Sequence, residues 1–432
     1  MSAIDRTRRN LALTPQIDSE TDDQHPIASS PRRPRQASEV QDALPVLAHR
    51  MRHNRSVLAI ALSEKYIYAG TQGGEILVYT FDTCERIAVI EGHQGSVLGL
   101  CLSDDGSLLL SSAGDRITNI WSCKTFERLW CLYSSYDIGD VFCVSYSSRL
   151  QTVYLGAQNT SIQWCSLKEK DCSQHRSPDG FPHFREDRFF DSSGPGGVRT
   201  PKSADNAVRP QHARGGQVIE ISKSNIRHFA HFGYVYCILL ARDVVPKAPG
   251  EEVLISGGGD GVINVWRLDE TRGGAISKLF TLSDDREEGQ SILSLSIDGS
   301  FLYCGRAGGE VNVWDLETRQ LIRSLRAHRD DVMSICLGGG YLFSAAVTGF
   351  VRKYDRQYQM TNRFQAHEGS ILASAFTFHE GRPFYVTGAN DNTIALWDAS
   401  NCIMTPATIK KSTNGKTHII APEYEVFADG DM

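Results

Sequence analysis

A histidine, a serine or threonine, an aspartate and a tryptophan recur in one order at three places along this chain of 432 residues. The sets are His93, Ser111, Asp115 and Trp121; His231, Ser256, Asp260 and Trp266; and His367, Thr387, Asp391 and Trp397. A hydroxyl, an imidazole and a carboxylate look like catalytic equipment, since together they can generate a nucleophile. The spacing argues otherwise. In all three sets the aspartate follows the Ser/Thr by four residues and precedes the tryptophan by six. That places Ser/Thr and Asp at the two ends of a tight hairpin turn and puts the Trp on the next strand, where its indole N–H needs a buried acceptor. Four such groups close a hydrogen-bond relay inside one small sheet, satisfying polar groups in a crowded core. The expected role of each set is a structural staple.

Other fragments that resemble chemistry fail on context. His328-Arg329-Asp330 matches a kinase catalytic-loop triplet, but no Gly-rich loop or Asp-Phe-Gly accompanies it. Gly257-Gly258-Gly259-Asp260-Gly261 suggests a phosphate cradle, yet no helix and no lysine follow it. No His/Asp/Glu cluster has metal-ligand spacing, and a nucleophile elbow is absent. The reading is therefore no catalytic residue, no cofactor site and no metal site, and no covalent chemistry by this chain alone.

The elements that position the sets emerge from a second pattern, a β-branched residue four positions after each His slot. These anchors are Val57, Val97, Val141, Val235, Ile292, Val332 and Ile371, at intervals of 40, 44, 94, 57, 40 and 39 residues. Closing aromatics follow at Tyr79, Trp121, Trp164, Trp266, Trp314, Tyr354 and Trp397, three of them in Trp-Asp or Tyr-Asp pairs. A repeat near 40–45 residues whose runs are short, apolar and β-prone is one four-stranded propeller blade. Over about residues 44–400 the chain resembles the WD-repeat family, which implies an all-β, seven-bladed β-propeller. Gly73, Gln158, Gly308 and Thr348 stand in the turn-Asp slot, and Asp137 and Glu288 in two His slots, so four blades should lack the complete relay. Leu44–Met51 aligns with the outer strand preceding His328 and is expected to complete the last blade, latching the ring. Cys402–Ile409, interrupted by Pro406, is the alternative donor.

Outside the ring, residues 1–43 are polar and rich in Pro, Ser and Arg, the composition of a disordered tail. Within them Ser30-Pro31 and Arg35-Gln36-Ala37-Ser38 have the form of kinase sites. The 94-residue interval hides an insertion, 168–224, read as an exposed and mostly mobile loop. Its Phe181–Asp191 stretch sets Phe189 and Phe190 among charges, as a docking peptide does, although packing on the ring's own rim reads it as well. Residues 401–432 form a C-terminal tail. A net charge of −6 gives no general pull towards nucleic acid or anionic membrane. Eleven cysteines without a C-x-x-C pair read as core residues in a reducing compartment. No apolar run approaches a membrane span. The expected location is cytoplasmic, with the nucleus second.

Within the WD-repeat class, three stretches are similar to the N-terminal propeller of the large subunit of the fungal glutathione degradosome. They are Ser134-Ser135-Tyr136-Asp137-Ile138-Gly139-Asp140-Val141, the run Tyr154–Trp164, and Arg188-Phe189-Phe190-Asp191 leading into Gly194-Pro195-Gly196-Gly197. In that family the propeller precedes a metallopeptidase-like domain, and the assembly, with a partner peptidase and an amidotransferase-like subunit, cleaves the γ-glutamyl bond of glutathione. The peptidase half has no counterpart among these residues, so none of its metal ligands carries over. The resemblance implies a non-catalytic protein-interaction scaffold whose partners are other proteins, peptidase or amidotransferase-like subunits among them. A substrate receptor of a ubiquitin ligase, or another generic WD-repeat adaptor, is the alternative. Candidate contacts on the loops that carry the His and turn-Asp slots are Arg52, Arg55, Arg116, Arg306 and Arg329, with Phe189 and Phe190 in the insertion; solvated surface charge is the plain reading of the arginines.

Overall fold

Each anchor opens a strand. The innermost strands of the seven sheets are Val57–Leu62, Val97–Leu102, Val141–Ser147, Val235–Arg242, Ile292–Asp298, Val332–Gly338 and Ile371–His379. The structure, a computed structural model, describes residues 44–134, 136–168, 216–244, 250–284 and 290–402. The tail 1–43, most of the insertion with Phe189 and Phe190, Glu288 and residues 403–432 lie outside the described residues.

In the first blade Val57–Leu62, Tyr66–Thr71, Ile76–Thr80 and Arg86–Ile90 pair antiparallel in chain order, and the other blades repeat this plan. The chemistry of each strand follows its place. Second strands such as Thr152–Ala157 are buried at every position, whereas the outer strand Gln320–Arg326 is largely exposed. A continuous apolar run is thus a strand covered on both faces. In all seven blades the register slips immediately after the anchor. Such a bulge re-aims the residue that follows it.

The core is a ring of seams between blades. One apolar cluster joins Ile67, Leu77 and Tyr79 of the first blade to Phe384, Val386 and Leu396 of the last, and a comparable cluster fills each of the other six junctions. Close approach is made possible by small residues on the second strands. A Cβ added at Gly70, Gly156, Gly257, Gly305 or Gly388 would lie 2.6, 2.7, 2.5, 2.9 or 2.6 Å from a methyl carbon of the next blade's anchor. Ser112 and Ala345 hold the equivalent register positions in the two remaining blades.

The ring closes through Val46–Arg52, which pairs antiparallel with Thr393–Asp398 to become the outer strand of the seventh blade. The latch strand begins and ends slightly later than the sequence alignment placed it. Ser400–Cys402 forms a single 3-10 turn, with Cys402 buried against the last blade.

The end of the insertion departs from the loop reading. Gln217–Ile221 is a strand, parallel to Arg128–Ser134, and forms a fifth strand on the outer edge of the second blade. Ile219 and Ile221 are buried in the seam cluster there, and the Tyr133 hydroxyl donates to Glu220 at 3.1 Å. The alternation Val218-Ile219-Glu220-Ile221 supplies one apolar face for that edge. The third blade, whose chain makes this excursion, keeps an outer strand of two residues, Ile226–Arg227. Among the described residues no helix is long and apolar enough to cross a membrane.

Candidate functional site: the loop face of the ring

Loops joining one blade's outer strand to the next blade's first strand, and loops joining second to third strands, open at the same end of an antiparallel sheet. Both kinds carry the recurrent polar sets. In the second blade His93 Nδ1–H donates to Asp115 at 3.0 Å, and the Ser111 hydroxyl lies 2.7 Å from His93 Nε2. The Trp121 indole N–H donates to the same hydroxyl at 2.8 Å. The His231, Ser256, Asp260 and Trp266 set repeats this with 3.0, 2.8 and 2.9 Å, and the His367, Thr387, Asp391 and Trp397 set with 3.0, 2.7 and 3.1 Å.

These hydroxyls cannot act as nucleophiles. Ser111, Ser256 and Thr387 have no solvent-exposed surface, and each oxygen accepts an indole N–H. The carboxylates are held ionised. Burial alone would raise the Asp391 carboxyl, but its bonds from His367 and from the Thr393 hydroxyl and main-chain N–H bring it down to about 2. Burial likewise raises the Asp115 and Asp260 carboxyls, and the bonds and charge of His93 and His231 outweigh it and hold both low. The aspartates also fix the residue after each histidine: the N–H groups of Gln94, Phe232 and Glu368 donate to Asp115, Asp260 and Asp391 at 2.9, 2.8 and 3.2 Å. The staple therefore sets the shape of the loop face.

The other blades use substitutes. In the sixth, the His328 ring lies 2.9 Å from the Ser344 hydroxyl, and among the described residues no carboxylate bonds it in place of the missing aspartate. Burial, with Arg352 nearby, pushes that imidazole down to about 4. In the fifth blade Arg306 occupies the interior, with its Nη1 4.0 Å from Asp284 and 3.8 Å from Glu310.

Arg306 is therefore withdrawn from the candidate contacts. It is 1% exposed, because the bulge after Ile292 puts it in register opposite the anchor, inside the sheet and not on a loop. Arg52, Arg55 and Arg329 are exposed on the loop face. Arg116 is half-buried and ion-paired to Asp137 at 3.0 Å, tying the second blade's turn to the third blade's entry loop. Arg52 also lines a polar cavity of about 680 Å³ with Arg50, His53 and Glu368 beside the last blade's relay.

A feature the arginine reading missed lies at the axis. Phe142, Tyr236 and Leu293 form one apolar cluster with Leu98, Tyr234, Ala307 and Met333 packed against it, drawing on five successive blades. Leu98, Phe142, Tyr236, Leu293 and Met333 each directly follow an anchor, so the bulges aim them to a common mouth. Leu58 and Leu372 hold the same place in the remaining two blades, so an apolar residue at anchor plus one was a readable signal in every repeat. The loop entering the fourth blade, which leads into Tyr234 and Tyr236, exposes Phe229 at 80% and Phe232 at 95%. Exposed large aromatics on a face that also carries an apolar cluster are the composition of a protein-docking surface.

A family model for the WD domain, G-beta repeat, matches residues 84–122 and 358–398. Those segments carry the complete relays of the second and seventh blades, within a ring of seven four-stranded units. The chain is a WD-repeat propeller. Its propeller is 30% identical over 394 residues, 83% of this chain and 44% of the relative, to the probable di- and tripeptidase DUG2 of Saccharomyces cerevisiae. The kinesin-like protein KIF21B of Mus musculus matches at 21% over 354 residues, 80% of this chain and 18% of that protein. Apoptotic protease-activating factor 1 of Homo sapiens matches at 22% over 338 residues, 75% of this chain and 24% of that protein. The chain spans less than half the length of each. WD-repeat propellers are a protein-interaction fold, and the loop face described above is where this one offers aromatic surface.

Proposed function

We propose that this propeller is a non-catalytic docking scaffold in a peptidase assembly that degrades glutathione and related small peptides, binding a peptidase or amidotransferase-like subunit through its loop face. The observation that carries the reading is the similarity to a probable di- and tripeptidase, which extends across 83% of this chain. The geometry supports a scaffold role. The three Ser/Thr–His–Asp sets are sealed in the sheets, while the aromatic side chains of Phe229 and Phe232 stand in solvent.

The test has two arms. The purified chain is assayed alone against glutathione and Cys-Gly with added zinc or manganese, and the complex it captures from its own cells is assayed in parallel. The expected result is no turnover by the chain and peptide hydrolysis by the complex, with a peptidase subunit identified by mass spectrometry. Metal-dependent turnover by the pure chain, or a captured complex without peptidase activity, contradicts the proposal.

A further inference from the structure

The seam where the ring closes gathers three potential metal ligands from opposite ends of the sequence. His379 ends the strand Ile371–His379 in the last blade, and Glu380 follows it in a two-residue turn, with φ of 49° at Glu380 and 72° at Gly381. Asp82 lies in the hairpin turn after Ile76–Thr80 in the first blade. One ligand atom from each of Asp82, His379 and Glu380 lies within 4.8 Å of the other two. These turns open on the end of the ring opposite the loop face, so the site is independent of the docking surface.

The imidazole is held as a metal-binding histidine is held. Its Nδ1–H donates to the Glu64 carbonyl at 2.6 Å, and its ring stacks on Phe81 with centroids 4.9 Å apart and planes 14° from parallel. This fixes both tautomer and orientation, leaving Nε2 directed at Asp82, 2.8 Å away. A carbonyl and a carboxylate are both acceptors, so each ring nitrogen of His379 faces one. The charged groups facing it are Asp82 and Glu380.

We propose that a divalent transition-metal ion of the zinc class, suited to mixed nitrogen and oxygen ligands, binds here through His379 Nε2 and the carboxylates of Asp82 and Glu380, clipping the last blade to the first. The ion binds Nε2, any proton there leaving to solvent, while the Nδ1–H bond to Glu64 is kept. Ligands at about 2.0–2.2 Å from an ion stand roughly 3–3.5 Å from one another. The exposed Asp82 and Glu380 side chains close the remaining ångström by rotation about their own bonds. Water completes the coordination. Because a proton and the ion compete for Nε2, binding strengthens as pH rises. The sequence alone does not show the site, since 297 residues separate Asp82 from His379.

The experiment is thermal melting and calorimetric titration of the metal-free full chain with zinc chloride at pH 8 and pH 6, with magnesium chloride as control. Expected are one ion per chain, a rise in Tm with zinc at pH 8, a smaller rise at pH 6 and none with magnesium. Glu380→Gln should leave the metal-free Tm unchanged, because that carboxylate is exposed, and should weaken zinc binding at least tenfold. His379→Gln should abolish it. Zinc stoichiometry and Tm shift equal to wild type in Glu380→Gln overturn the proposal, even if His379→Gln fails to fold. So does the absence of any zinc effect at pH 8.

Discussion

Asp260 holds three groups at once: the ring N–H of His231 and the main-chain N–H groups of Phe232 and Val262. Replacing it by alanine takes the acceptor from all three donors, the buried His231 ring among them, and costs about 1–3 kcal/mol. The Asp260→Ala variant should therefore melt several degrees below wild type. Because Phe232 loses its tether, partner binding at the loop face should fall as well. An unchanged melting temperature contradicts the staple role. His328, which lacks such a carboxylate, gives a pH signature of its own. Its folded value of about 4 lies below the ordinary 6.5, so the folded state binds fewer protons than the unfolded one. The stability it contributes is complete above pH 6.5 and is lost as pH falls towards 4, on the order of 3 kcal/mol in all. Urea unfolding of wild type and His328→Gln across that range should show the wild type losing stability more steeply. Parallel curves would contradict the assignment.

The blade seams are the elements in which small changes matter most. Gly257 forms the notch that receives Ile292, and a side chain there starts 2.5 Å from an Ile292 methyl carbon. Gly257→Val overpacks the junction of the fourth and fifth blades and should destabilise by about 1–3 kcal/mol, read as a lower urea midpoint. A variant as stable as wild type would show that the blades can part without loss. The notch was not legible in the sequence, because it pairs a glycine on one blade with an anchor some 35 residues on. What was legible is local: anchors four residues past each His slot, and closing aromatics six residues past the turn-Asp slot, are patterns within one loop and the strand that follows it. Arg306 misled because loop and strand end differ there by the one residue of a bulge. Gln217–Ile221 was hidden for a different reason. A single parallel edge strand leans on a blade far away in sequence, and five residues of alternation at the end of a long polar insertion are too short to announce it.

As a whole molecule the ring has two ends with different chemistry. One carries the relays, the axial apolar mouth and the exposed Phe229 and Phe232; the other carries the hairpin turns with Asp82, His379 and Glu380. Seven seams of similar construction make the body rigid, and the strand Val46–Arg52 completes the closing sheet as its outer strand, joining the two ends of the chain in one blade. Such a body binds by presenting a preformed face, so affinity should reside in a few exposed aromatic side chains. The most direct measurement is the affinity of the peptidase subunit that co-purifies with the chain, determined by calorimetry for wild type and for the double variant Phe229→Ser, Phe232→Ser. Both residues stand in solvent, so the variant should melt at the wild-type temperature while binding at least tenfold more weakly. Equal affinity for the two proteins would contradict docking through the loop face.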